Sequence, residues 1–171
     1  MIDTLKKIEK EQLLGLLHKP EIWKTLLINY HPPIVHRLYT DIGEHRLFLH
    51  FIEPCSMEDA LWHPHPWPSA IHVVDGDYEM GVGYGPGETL VKEVCKLNLT
   101  GGSYYEMMDP DGWHYVRPVS ELCKSIMITG KPWERWSPKS EEKLGPLTEE
   151  MKLEILAYFR QVYTTLINKL K

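Results

Sequence analysis

Two histidines stand one residue apart in His63-Pro64-His65. In an extended strand, residues two apart project to the same side, so both imidazoles can reach one ion. A third ligand must then come from elsewhere in the chain. His114 is the candidate, because it follows the turn-forming run Asp109-Pro110-Asp111-Gly112 and opens a short strand. Three neutral imidazoles suit a divalent transition metal and leave coordination positions free for a small molecule, but imidazole does not choose between iron, nickel and zinc. Pro64, Pro66 and Pro68 alternate with His65 and Trp67. Proline donates nothing to a ladder, so this stretch must be an edge, a bulge or an extended lead into a strand.

The remaining histidines carry less. His72 alternates with Ile71 and Val73 and is expected to point away from their side. His50 falls on the same strand face as Arg46, Phe48 and Ile52 and is a candidate for the interior. His18, His31, His36 and His45 follow no pattern. Glu79 and Glu106 lie in strands near the candidate ligands and are the carboxylates available to a metal site. Trp62, Trp67 and Trp113 neighbour the three histidines in sequence and read equally as pocket wall or as ordinary rim packing. Gly81-Val82-Gly83-Tyr84-Gly85 precedes no helix and is not a phosphate loop, and there is no Gly-x-Ser-x-Gly elbow.

Strands must position these side chains. Between Ile34 and Gly130, short runs rich in Val, Ile, Tyr and Phe predict strands over 35–40, 46–52, 70–74, 78–84, 90–99, 103–107, 114–117 and 124–129. Asp75-Gly76-Asp77 suits a tight hairpin; Gly85-Pro86-Gly87, Gly101-Gly102 and Asp109–Gly112 are turns of the usual composition. About eight strands in about 100 residues imply a sandwich or closed barrel. The expected organisation is a single domain: a helical lead over 1–33, a β-barrel over 34–130, and a linker with a C-terminal helix over 131–171. In the lead, Ile8, Leu13, Leu14, Leu16 and Leu17 form a helical stripe that Gly15 weakens and Pro20 stops. Pro20 also suits the start of a second helix burying Ile22, Trp23, Leu26 and Leu27. At the other end Thr148 can cap a helix whose apolar face reads Leu153, Leu156, Phe159, Val162, Tyr163, Leu166 and Leu170, a face for the barrel or for a second copy of the chain in a homodimer.

The 171 residues, 43% hydrophobic and 25% charged, fit one globular domain. A formal charge of −5 disfavours nucleic acid as a partner. No apolar run has the length of a membrane helix, and the N-terminal residues do not read as a signal peptide. Three widely spaced cysteines, Cys55, Cys95 and Cys123, argue against a disulfide framework and for a reducing, cytoplasmic setting.

His63-Pro-His65 followed by Gly76 at a turn, and Gly102 followed by Pro110-Asp111-Gly112-Trp113-His114, resemble the two motifs of the cupin superfamily, in order. The resemblance covers about 60 residues directly, and the strand pattern carries it to about 100. It implies an all-β jelly-roll barrel holding one divalent metal on His63, His65 and His114. It also departs from the pattern. The position of the usual glutamate ligand falls at Ser69 or Ala70, Gly76 comes one residue early, and the Gly102–Pro110 interval is long. A three-histidine site with small residues after the His-x-His is similar to the cysteine dioxygenase-like branch. There the resemblance implies Fe(II), a small-molecule substrate such as a thiol, and oxygen. Such a site needs a cation for a substrate carboxylate, and Arg46 is the candidate, with Tyr105 and Tyr115 as phenol donors. The catalytic residues themselves remain unknown. An isomerase or hydrolase using Zn, Ni or Mn, and a non-catalytic ligand-binding module, are the alternatives the missing glutamate keeps open.

Overall fold

The structure, a computed structural model, describes residues 1–119 and 121–169, without the side chains of 167 and 169. Helices α1 (Ile2–Glu11) and α2 (Leu13–Leu17) lead into strands β1 (Lys24–Ile28), β2 (Val35–Ile42), β3 (His45–Ile52), β4 (His63–Pro64), β5 (Ser69–Asp75), β6 (Tyr78–Tyr84), β7 (Lys92–Leu99), β8 (Tyr104–Met107), β9 (Gly112–Pro118) and β10 (Cys123–Thr129), and helix α3 (Glu149–Lys169) follows. The strands form two antiparallel sheets, one of six strands ordered β1-β2-β3-β10-β5-β8 and one of four ordered β4-β9-β6-β7. The expected class holds: a mostly β chain of antiparallel strands with helices at both ends. The two ladders remain separate among the described residues and do not close into one ring.

The six-stranded sheet is buried on both faces. In β3, Leu47, Leu49 and Phe51 pack outward against the helices, while Phe48 and Ile52 face the second sheet. That explains the unbroken apolar run of β3, since neither face meets water. Leu5, Ile8, Leu13 and Leu17 from the N-terminal helices join Ile155, Leu156, Phe159 and Tyr163 of α3 over this outer face. Each such side chain stabilises the fold by about 1.5–3 kcal/mol when fully buried. Between the sheets, Ile52, Val73 and Cys123 meet Tyr78 and Met80 of the second sheet.

Three expectations need correction. After Pro20 the chain makes a single 3-10 turn (Pro20–Ile22), and residues 24–28 are a strand rather than a helix. The spacing of Ile22, Trp23, Leu26 and Leu27 fits either form. Pairing with β2, from Lys24↔Tyr39 to Ile28↔Val35, decides it by satisfying the backbone of both strands. Asp75-Gly76-Asp77 does turn, with Gly76 at φ 81°, but it carries the chain from one sheet to the other and is not a hairpin. In α3, Thr148 caps through Met151 N at 3.2 Å, yet Leu153 and Leu166 are exposed, and Ile155 takes a place on the buried face. Leu170 lies outside the described residues. No helix among those described is long and apolar enough to cross a membrane. All three cysteines are free.

One buried network ties the helices to the sheet. Glu9 of α1 accepts hydrogen bonds from His72 Nδ1 of β5 at 2.6 Å, from Tyr104 of β8 at 2.8 Å and from the Tyr163 hydroxyl of α3. His72 therefore turns to the helix side, away from Ile71 and Val73, as its alternation predicts. Beyond β10, the irregular segment 131–146 is stapled to the four-stranded sheet by Arg135, which donates to Gly85 O at 2.9 Å and lies over Trp113, 5.6 Å from its ring centroid.

Replacing Glu9 by Ala leaves His72 and two phenols without their shared acceptor, and is expected to cost about 3–5 kcal/mol, read as a lowered urea midpoint. A Glu9→Leu/His72→Leu double variant should lose much less; equal losses would mean that packing, not the hydrogen-bonded pair, holds the helix. On the outer face of the second sheet, a Cβ at Gly81 would lie 2.0 Å from the Tyr115 ring and 2.8 Å from Trp62. Gly81→Ala is therefore expected to destabilise by about 1–3 kcal/mol through overpacking, and an unchanged melting temperature would contradict that close approach.

Candidate metal centre

β4 pairs with β9 so that His63 stands directly opposite His114. The chain stays extended through Pro64, and His65 returns to the same side. His114 Nε2 lies 3.2 Å from His63 Nε2 and 2.9 Å from His65 Nε2, and the ligand atoms of all three lie within 4.8 Å of one another. Nitrogens sharing one ion at about 2.0–2.1 Å, with angles between a right angle and tetrahedral, are about 2.8–3.4 Å apart, so both short contacts have the separation of co-ligands.

The surrounding bonds orient the rings. His63 Nδ1 donates to Leu61 O at 3.0 Å, and since a carbonyl only accepts, the His63 lone pair is on Nε2 and faces the centre. His65 Nδ1 is 2.8 Å from Ser69 Oγ. Ser69 occupies the place where the motif resemblance would put a carboxylate ligand; it meets the outer nitrogen of His65 instead. His114 Nδ1 is buried without a partner. Burial holds His63 down to about 4, and His65 and His114 well below the ordinary imidazole range, with the positive charge of Arg37 adding to the effect at His63 and His65. All three are neutral at neutral pH, the form that binds metal without first losing a proton. Three converging ring nitrogens with no carboxylate among them suit a divalent metal ion.

The centre opens on a cavity of about 180 Å³ between the sheets. Tyr105 lines it, its ring 6.3 Å from that of His114. Trp67 lines it too. Tyr115 does not: strand alternation turns it to the opposite face from His114, where it packs on Trp62 and donates to Glu79 at 2.6 Å. Trp113 shares that face and donates to Gly85 O at 2.7 Å. Glu106 pairs with the N-terminal amine at 3.1 Å, so neither glutamate reaches the histidines. Arg46 shares the face of His50 by parity, but at the end of β3 it is half exposed and pairs with Asp41 at 2.8 Å. The arginine in the cavity is Arg37 of β2, opposite His50. Sequence reading passed over it. The available signal was its place on the β2 face shared with Val35 and Tyr39, readable only once β2 and β3 are paired.

No family model and no curated protein matches the sequence. Among solved structures, the chain overlaps the Fe(II) form of HppE (TM-score 0.49, 14% identity, 64% of this chain and 57% of that one). It overlaps hydroxypropylphosphonic acid epoxidase from S. wedmorenis (TM-score 0.47, 14% identity, 64% and 56%). It also overlaps a protein assigned as a sugar phosphate isomerase from Acidithiobacillus ferrooxidans (TM-score 0.42, 13% identity, 56% and 60%). The matched region thus spans just over half the length of each of these chains. Overlaps of this extent leave the chemistry to be read from the site itself.

Ser69→Ala removes the partner of His65 Nδ1 without touching a ligand. It is expected to weaken metal binding by about 10–100-fold while leaving the far-UV spectrum unchanged, as loss of a group that orients a ligand does. Undiminished affinity in a competition titration would show that Ser69 does not orient the ring.

Proposed function

We propose that this chain is a metalloenzyme of the cupin superfamily, a non-haem Fe(II) dioxygenase acting on a small molecule such as a thiol. The observation that carries it is the convergence of three buried Nε2 atoms at the edge of the cavity between the sheets. His63, His65 and His114 would hold the ion, which when bound supplies positions for a substrate donor atom and for oxygen. Around it the chain's own groups have defined parts. Ile71, Val116 and Met127 keep the cavity wall apolar. Tyr78 donates its hydroxyl proton to Tyr105 at 2.8 Å, which leaves the Tyr105 proton free for a bound ligand. Burial raises the Tyr105 pKa, so it remains a donor through the neutral range.

The test is elemental analysis of protein purified without chelator, beside a His63→Ala/His65→Ala variant, followed by oxygen-uptake assays of the anaerobically Fe(II)-loaded protein with small thiols. Near-stoichiometric metal lost in the variant, with thiol-dependent oxygen consumption, is the expected result. Zinc, nickel or manganese with no oxygen uptake would replace the dioxygenase with a Lewis-acid isomerase or hydrolase. No metal in either folded protein, before or after loading, would leave a ligand-binding module.

A further inference from the structure

Each sheet has two outer edges, and an open edge offers unpaired N–H and C=O groups to any extended chain. Three of the four edges are blunted. Along β1, Leu27 N donates to Gly145 O at 3.0 Å, and Leu147 N donates to Thr25 Oγ1 at 3.1 Å. At β8 the start of α1 lies alongside: Ile2 N donates to Glu106 at 2.9 Å, and Lys6 Nζ sits 4.8 Å from the Tyr104 ring centroid. β4 is two residues long and contains Pro64. The chain beyond it is bonded to the segment after β10, where Gly130 N donates to Pro68 O at 2.9 Å and Trp133 N to Pro66 O at 2.8 Å.

β7 has no such cover. It runs for eight residues without a proline and pairs with β6 alone. Among the described residues, no backbone hydrogen bond joins residues 92–99 to anything but β6. Seven of its eight residues are exposed, so its two faces are as bare as its edge. Val94 and Leu97 are 62% and 41% exposed. A strand held by one neighbour gains little stability from burial, and apolar side chains left together on it mark an interface.

The strand's pattern selects the partner. Its ladder pairs Val82 with Cys95 and Gly83 with Glu93, which makes Val94 a bulge. The bulge brings Glu93 and Lys96, opposite Gly83 and Gly81, to one face, with Lys96 Nζ 4.0 Å from Glu93. Residues three apart in a regular strand face opposite ways, so a regular strand cannot match both charges. A second copy running antiparallel can. Centred between Val94 and Cys95, it sets bulge against bulge and makes two Glu93–Lys96 pairs on one face, one in each direction. Neighbouring registers do worse. Centring on Lys96 sets that residue against itself, centring on Val94 sets Lys92 against Lys96, and centring on Cys95 leaves Lys92, Glu93 and Lys96 opposite uncharged residues.

We propose that β7 is a homodimer edge, along which two copies pair antiparallel with Glu93 of each opposite Lys96 of the other. The four-stranded sheets of the two copies then join into one continuous sheet. β6 and β9 separate β7 from β4, so the interface stands apart from the histidine centre and from its reading. The face of α3 is not needed, because Ile155, Leu156, Phe159 and Tyr163 are already buried against the chain's own sheet.

The experiment is sedimentation in a reductant, which keeps the exposed Cys95 from linking copies, at protein concentrations up to about 1 mM, where a weak interface of one strand still associates. Wild type should pass from monomer to dimer as concentration rises. Glu93→Lys and Lys96→Glu should each weaken the dimer by about tenfold or more, since every pair becomes like-charged. Glu93→Lys/Lys96→Glu should restore it, and Leu153→Glu on α3 should dimerise as wild type does. All should keep the parent's metal content and melting temperature, because the substituted side chains are exposed. In wild type alone, hydrogen exchange at β7 amides should slow with rising concentration while β1 and β8 do not change. Reversals that leave the dimer intact, a double variant that stays monomeric, or a dimer lost in Leu153→Glu overturns the proposal. Wild type that remains a monomer throughout also overturns it, and leaves the edge to an extended segment of a different protein.

Discussion

Side chains along a strand alternate between its two faces, and the site is what that period produces when two sheets meet. In the four-stranded sheet, pairing of β4 with β9 sets His63 across from His114 on the inner face. In the six-stranded sheet, two successive pairings set Arg37, His50 and Ser125 in one line across three strands, again facing inward. A slip of one residue in either sheet would send these groups to the outer face and bring Trp113 or Leu38 in their place. The register is held elsewhere, by Leu47, Leu49 and Phe51 on the helix side and by Phe48 and Ile52 on the other, each of which would also change sides.

Electrostatics gives the two buried polar clusters opposite characters. Around Glu9 the hydrogen bonding is matched: a carboxylate, an imidazole and two phenols close on one another and join two helices to a sheet. Such a cluster has nothing left to offer a ligand. In the cavity the matching is absent. Three imidazoles are kept neutral by burial, His63 and His65 also by a nearby guanidinium, and that guanidinium has no acid beside it.

Much of the frame was legible along the chain. The strand-forming runs, the glycine turns and the cap at Thr148 are local features, set by a few neighbouring residues, and they lie where the sequence places them. The His-x-His pair is local too, and its two rings do share a side. His114 was named from the turn before it, and the β4–β9 pairing brings it to the other two. What is not local was missed or misplaced. Residues 24–28 form a strand because an edge of β2 was free to pair, and nothing within five residues announces that edge. Asp75-Gly76-Asp77 has hairpin composition but joins two sheets, since a turn's residues specify its bend and not which ladder the next strand enters.

The arginine shows where the division falls. By sequence, Arg46 and Arg37 are alike: each stands in a strand on the side of interior residues. Chain composition and period determine that much, along with the mostly β class and the candidate ligand pair. Only the tertiary structure decides that Arg46, at the end of β3, reaches water and Asp41, while Arg37, opposite His50 in the body of the sheet, is half-buried in the cavity beside the histidines. The physical reason is that burial belongs to the assembly of both sheets, whereas alternation belongs to a single strand.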